Sequence, residues 1–151
     1  MNLTVYTDGA SRGNPGKSGA GILILDENGL QVASLNEYLG ISTNNEAEYK
    51  ALIIALEFLS GMANDGDADI TEVLFLLDSQ LLVNQMNGVY SVKSANMLPL
   101  YRKARKLIDD IKKAALKRRG NLLKVKFRHI PRELNKDADR LANLAIDASG
   151  V

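Results

Sequence analysis

Hydrophobic and polar positions along the first forty residues follow strand-like patterns. Residues 3–7 form a short β-rich run ending at Asp8-Gly9, which predicts a strand entering a loop. The loop Gly9-Ala10-Ser11-Arg12-Gly13-Asn14-Pro15-Gly16 is dense in turn formers. A second apolar run, residues 20–25, leads to Asp26-Glu27-Asn28-Gly29. Asn-Gly between β-like runs is a hairpin signal, because both residues tolerate positive φ. A third strand over residues 31–38 would complete an antiparallel meander.

Helical spacing takes over at Thr43-Asn44-Asn45. Ala47, Ala51, Leu52, Ala55, Leu56, Phe58 and Leu59 build a broad apolar face. Gly61 and the acidic stretch 64–69 are expected to close this helix as an exposed loop. Residues 73–77 are continuously apolar, as in a strand covered on both faces, and Asp78 ends the run. Residues 79–86 look helical, with Gly88 just beyond as a stop. Met97, Tyr101, Ala104, Ile108, Ile111 and Ala115 mark one face of a long helix ending at Gly120, and most of the remaining surface of that helix is basic. Residues 122–127 alternate apolar and basic, which predicts a fifth strand. Asn135 suits the N-cap of a final helix through residue 148. There is no internal repeat or interdomain linker. The order βββ-α-β-α-α-β-α predicts an α/β fold in one domain, residues 1–151. Its single mixed five-stranded sheet would combine the meander with two parallel strands and carry helices on both faces.

Composition narrows the chemistry. The 151 residues are 46% hydrophobic and 25% charged, which is globular rather than disordered. With no cysteine and one histidine, His129, disulfides, thiolate nucleophiles and multi-histidine or Cys-based metal sites are excluded. No signal peptide opens the sequence and no run approaches the ~18 apolar residues of a membrane span, so a soluble cytoplasmic protein is expected. The formal charge of +1 hides an asymmetry. Residues 1–92 carry 3 basic and 12 acidic side chains, net −9; residues 93–151 carry 16 and 6, net +10. Such opposed halves fit a polyanion-binding surface beside an acidic site, or a plainly solvated basic helix.

Four acids stand where packing would not choose them. Asp8 and Asp78 end the first and fourth predicted strands, and ligands gather outside the carboxyl ends of strands near a switch in strand order. Glu48 extends the apolar stripe of the first helix toward the sheet. Asp139 occupies the first turn of the last helix. Each has an ordinary structural explanation, as a cap, a turn former or a partner of a helix N-terminus. Together they predict one anionic corner whose members repel one another unless a divalent cation binds. Oxygen ligands without sulfur select Mg²⁺, with Mn²⁺ as a substitute. Four carboxylates suit two such ions about 3.5–4 Å apart, an arrangement for in-line phosphodiester cleavage.

At these residues the sequence resembles the type 1 ribonuclease H family nearly end to end. The anchors are Thr7-Asp8-Gly9, Gly13-Asn14-Pro15-Gly16, Thr43-Asn44-Asn45-Glu46-Ala47-Glu48, Asp78-Ser79-Gln80, and His129 ten residues before Asp139. The resemblance implies a ribonuclease H-like fold and an endonuclease that hydrolyses the RNA strand of RNA–DNA hybrids, leaving 3′-hydroxyl and 5′-phosphate ends. It carries the metal ligands onto Asp8, Glu48, Asp78 and Asp139. Asp8 would bridge both ions, Asp139 would bind the ion carrying the attacking water, and Glu48 and Asp78 would serve the leaving-group ion. His129 would assist proton transfer or product departure. Asn14, Asn44, Asn45 and Gln80 resemble groove-contacting positions, although turn and cap chemistry explains the three asparagines equally well. Amides can both donate to and accept from a 2′-hydroxyl. Thr43 resembles a position that holds a phosphate of the DNA strand.

Two departures stand out from the family pattern. The glycine-containing loop after the histidine is replaced by Ile130-Pro131-Arg132-Glu133, a stiffer segment. The chain also lacks tryptophan and has no separate handle for its substrate. Grip on the hybrid would then rest on Lys93 and the basic face between Arg102 and Lys117, making binding salt-sensitive. A same-fold nuclease that also cuts double-stranded RNA, and a non-catalytic hybrid-binding module, are the alternatives. A monomer without an obligatory protein partner is expected, and the short start and terminal helix favour a free-standing enzyme.

Overall fold

The computed structural model describes residues 1–65 and 69–149. In chain order these form β1 (Asn2–Gly13), β2 (Gly16–Leu25), β3 (Gln31–Ser42), α1 (Asn44–Asp65), β4 (Glu72–Leu77), α2 (Gln80–Met86), α3 (Leu98–Arg119), β5 (Lys124–His129), a 3-10 turn (Arg132–Leu134) and α4 (Lys136–Asp147). The strands make one sheet of order β3-β2-β1-β4-β5. β1, β2 and β3 form the expected antiparallel meander, and β4 joins both β1 and β5 in parallel. Among the described residues no helix is long and apolar enough to cross a membrane.

The meander is longer than its apolar runs. The segment rich in turn formers is not a free loop. β1 continues to Gly13 and pairs back onto β2 as far as Gly13↔Gly16, leaving Asn14 and Pro15 as the turn. Ladder hydrogen bonds to a neighbouring strand override weak local propensity here. β3 likewise runs past Tyr38 to Ser42, through a register shift opposite Ser18 and Gly19 and a left-handed Gly40 (φ +75°). β5 begins at Lys124 and ends at His129, two residues later at each end than the alternation suggested. Its parallel register with β4 aligns Phe127 with Phe75, and the two rings stack with centroids 4.9 Å apart.

α1 opens with a reciprocal cap. The Thr43 hydroxyl accepts from the Glu46 amide at 3.2 Å, and the Glu46 carboxylate accepts from the Thr43 amide at 2.9 Å. The helix passes through the exposed Gly61 and continues to Asp65, because α-helical hydrogen bonding tolerates one glycine at a cost of about 1 kcal/mol. The rest of the expected acidic loop, residues 66–68, lies outside the described residues. The main core joins Val5, Ile22, Ile24 and Phe75 of the sheet with Leu52, Leu56 and Leu59 of α1 and Ile108 and Ile111 of α3. Each such side chain stabilises the fold by about 1.5–3 kcal/mol when buried.

α1 and α4 press on opposite faces of the sheet. Gly9 pairs with Ala20 and Gly21 with Asp8, so the two glycines point to opposite sides. A Cβ on Gly9 would lie 2.2 Å from the Ala47 carbonyl of α1, and one on Gly21 would lie 2.0 Å from the Ala138 oxygen of α4. Absent side chains therefore let both helices sit directly on backbone beside Asp8.

Candidate active site

Asp8 and Asp78 meet because of strand register. The last parallel pair of β1 and β4 is Thr7↔Leu77, so the two carboxylates follow side by side at the carboxyl end of that ladder. Asp8 lies within β1 rather than at its end, since β1 goes on along β2. Glu48 enters from the second turn of α1, seated over Gly9, whose amide donates to its carboxylate. Asp8, Glu48 and Asp78 each offer an oxygen within 4.8 Å of the others. Asp139, in the first turn of α4, shares a side-chain hydrogen bond with Asp8 and lines the same cleft. That cleft has a volume of about 460 Å³ and a polar lining that includes Gly9, Ser11, Arg12, Asn44, Arg132 and Asn143 besides the four acids.

Burial and crowding raise the pKa of the two most buried acids. Burial pushes the Asp8 carboxyl up to about 7, helped by the charge of Asp78 and by its hydrogen bond with Asp139. Burial likewise holds Glu48 well above the ordinary carboxylate range, with the charges of Asp8 and Asp78 adding to it. These acids cannot all ionise at neutral pH without a compensating cation. One oxygen of Glu48 supplies a direct test of fit, because it is buried and has no hydrogen-bond partner. A buried, unpartnered carboxylate oxygen beside two more carboxylates is a donor set for a hard divalent cation. Asp8, Glu48 and Asp78 can hold such an ion.

The other expected site residues are placed unevenly. Asn44 lines the cleft, and its amide is held at 3.0 Å by the side-chain oxygen of Asn14. Thr43 spends its hydroxyl on the helix cap, and Asn45 is exposed on the first turn of α1 outside the cleft lining. Gln80 is exposed at the start of α2 and donates to Asn84 at 3.3 Å. Lys93 is exposed on the link between α2 and α3. His129 is exposed at the end of edge strand β5, level with Leu77, and is not among the cleft-lining residues.

Asn135 holds the expected N-cap position of α4, its backbone oxygen accepting from the Asp139 amide, but its side chain makes no cap bond. Its amide instead donates to the Thr7 carbonyl at 2.9 Å and to Asp78 at 3.1 Å, because α4 lies against the sheet there. Arg12, Arg132 and Asn143 were not singled out as site residues from the sequence. Only Asn143 left a usable signal, four residues after Asp139 on the same helical face.

A mixed sheet with acids gathered at the end of its central parallel pair defines a ribonuclease H-like protein. The ribonuclease H1 structure from Halobacterium salinarum superimposes with a TM-score of 0.82 at 32% identity, covering 98% of this chain and 99% of that one. Residues 6–145 match the reverse transcriptase-like family profile, and the chain belongs to that ribonuclease H-like family. LC11-RNase H1, solved in complex with an RNA/DNA hybrid, is 40% identical over 99% of both chains, with a TM-score of 0.77. By sequence the chain is 34% identical to a Mycobacterium tuberculosis bifunctional protein over 99% of its own length. It is also 34% identical to ribonuclease HI of Halobacterium salinarum over 94% of its length. The chain spans 36% of the mycobacterial relative and 63% of the archaeal one.

Proposed function

We propose that residues 1–151 act as one ribonuclease H unit that hydrolyses the RNA strand of RNA–DNA hybrids with two Mg²⁺ ions, Mn²⁺ being able to replace them. The observation that carries this is the triad of carboxylates within 4.8 Å, one of whose buried oxygens lacks any partner. Family membership and the hybrid bound by LC11-RNase H1 support the choice of substrate. Bound divalent ions would supply the charge that lowers the pKa of the attacking water and neutralises the phosphate.

The chain's residues divide the remaining work. Asp8, Glu48, Asp78 and Asp139 would hold the ions. Asn44, fixed by Asn14, stands at the cleft wall to meet a 2′-hydroxyl, the group that distinguishes RNA from DNA. Asn45 and Gln80 extend that contact along the minor groove, and Thr43 serves the DNA strand. Lys93 and the exposed lysines of α3 would hold phosphates further along the duplex. His129 would act beside the cleft in proton transfer or product departure. Water adds to phosphorus as the bond to the 3′-oxygen breaks, so the products end in 3′-hydroxyl and 5′-phosphate. We place the protein in the cytoplasm as a monomer.

Matched RNA–DNA, RNA–RNA and DNA–DNA duplexes, labelled on one strand and incubated with Mg²⁺ or Mn²⁺, test this reading. Metal-dependent cutting of the RNA in the hybrid is expected. Hybrid binding without cutting would make the chain a binding module, and cutting of RNA–RNA at a similar rate would widen the substrate class.

A further inference from the structure

Two asparagines, one just before α4 and one on it, flank Asp139 at four-residue spacing, and each donates its side-chain amide to a different carboxylate of the cluster. Asn135 donates to Asp78 Oδ2 at 3.1 Å, and Asn143 donates to Asp139 Oδ1 at 3.3 Å. We propose that Asn135 and Asn143 are positioning residues that each engage one carboxylate oxygen and leave the other free for a metal ion. The proposal rests on reading the four acids as metal ligands.

The surroundings of each amide determine which way round it sits. Asn135 is 1% exposed, and its NH₂ group faces two acceptors, the Thr7 carbonyl at 2.9 Å and Asp78. Turning the amide over would set its oxygen against both of them. Its own oxygen is buried without a partner, so the two donated bonds hold the amide in place at the cost of an unmet acceptor. Asn143 is oriented from outside. Arg12 donates to its side-chain oxygen at 3.3 Å and to its backbone oxygen at 3.4 Å, while an Arg12–Asp147 ion pair of 2.7 Å anchors the guanidinium. With that oxygen engaged by Arg12, the NH₂ group faces Asp139, donating both to its carboxylate and to its backbone oxygen at 3.0 Å.

The choice of amide has a chemical reason. Lysine or arginine at these positions would neutralise the carboxylates and compete with the cation. Aspartate or glutamate would add repulsion to a cluster that already crowds Asp8, Glu48 and Asp78 within 4.8 Å of one another. A neutral donor fixes the ligand's rotamer without changing the charge of the site. Partners of this kind, one step removed from the ion, typically carry 10–100-fold of metal affinity.

The test is calorimetric titration of Mn²⁺ into the full chain without nucleic acid, for the wild type, Asn135→Ala, Asn143→Ala and Asp78→Asn. Thermal unfolding and hybrid affinity in EDTA run alongside. Asn143→Ala removes a half-buried side chain and should fold normally even if Asn135→Ala does not. Each asparagine variant that folds is expected to weaken the Mn²⁺ dissociation constant at least about 10-fold, with metal-free hybrid affinity unchanged. A lowered Tm with Mn²⁺ affinity within about 2-fold of wild type would make the asparagines structural only and overturn the proposal. If Asp78→Asn binds Mn²⁺ and cuts the hybrid as the wild type does, it is the metal-site reading itself that fails.

Discussion

Replacing Asp8 with asparagine should stabilise the metal-free protein, and should do so more at alkaline than at acid pH. Folded Asp8 keeps its proton to about pH 7, whereas the ordinary carboxyl gives it up near 3.8. Between those values the folded state binds more protons than the unfolded state, so stability falls as pH rises and the loss is complete above the folded value. The shift of about three units corresponds, at 1.36 kcal/mol each, to an upper bound of roughly 4 kcal/mol. About two of those units fall between pH 5 and pH 8, an upper bound of roughly 3 kcal/mol. At about 2–4 °C per kcal/mol for a chain of this size, the gap in Tm between variant and wild type should widen by up to about 10 °C over that interval. The asparagine amide can still donate to Asp139, so the geometry survives. Circular-dichroism melts in EDTA at the two pH values measure the effect, and added Mg²⁺ should raise the Tm of the wild type but not of the variant. A gap independent of pH, or a variant less stable than wild type at the higher pH, would refute the reasoning about crowded charge.

Three further outcomes are expected. Glu48→Gln should fold and bind hybrid in EDTA with near wild-type affinity yet lose cleavage, since the amide keeps the side chain's size while removing the carboxylate whose unpartnered oxygen would meet the metal; gel-shift and cleavage assays on one preparation separate the two. Gly9→Ala should cost about 1–3 kcal/mol in urea unfolding and also slow cleavage, because the new methyl meets the α1 backbone at 2.2 Å and displaces Glu48. Hybrid affinity should fall steeply with salt, a slope of log affinity on log salt near −3 corresponding to about three or four phosphate contacts; a flat response would leave the lysines of α3 as solvated surface.

Much of this protein was already legible along the chain. The order of elements, the mixed sheet, the long amphipathic α3 and its glycine stop follow from local periodicity and turn chemistry, which depend on near neighbours alone. The acids stood out for a similar reason: Asp78 interrupts an apolar run, and Glu48 sits on an apolar stripe. Family motifs then joined Asp8, Glu48, Asp78 and Asp139 into one set.

What the pattern could not carry was anything set by a partner distant in sequence. The hairpin from Arg12 to Lys17 closes as strand only because two backbones find each other, and its glycines, Asn14 and Pro15 had argued for loop. Asn135 looked like a helix cap, yet its amide crosses 57 positions of chain to reach Asp78. Arg12, Arg132 and Asn143 are ordinary polar residues until α4 is laid across Gly21 and they border the same cleft. Periodicity records which face a residue occupies. Which carboxylates come within reach of one another, and which oxygen is left without a partner, depends on a few ångströms of helix-to-sheet approach that only the folded chain determines.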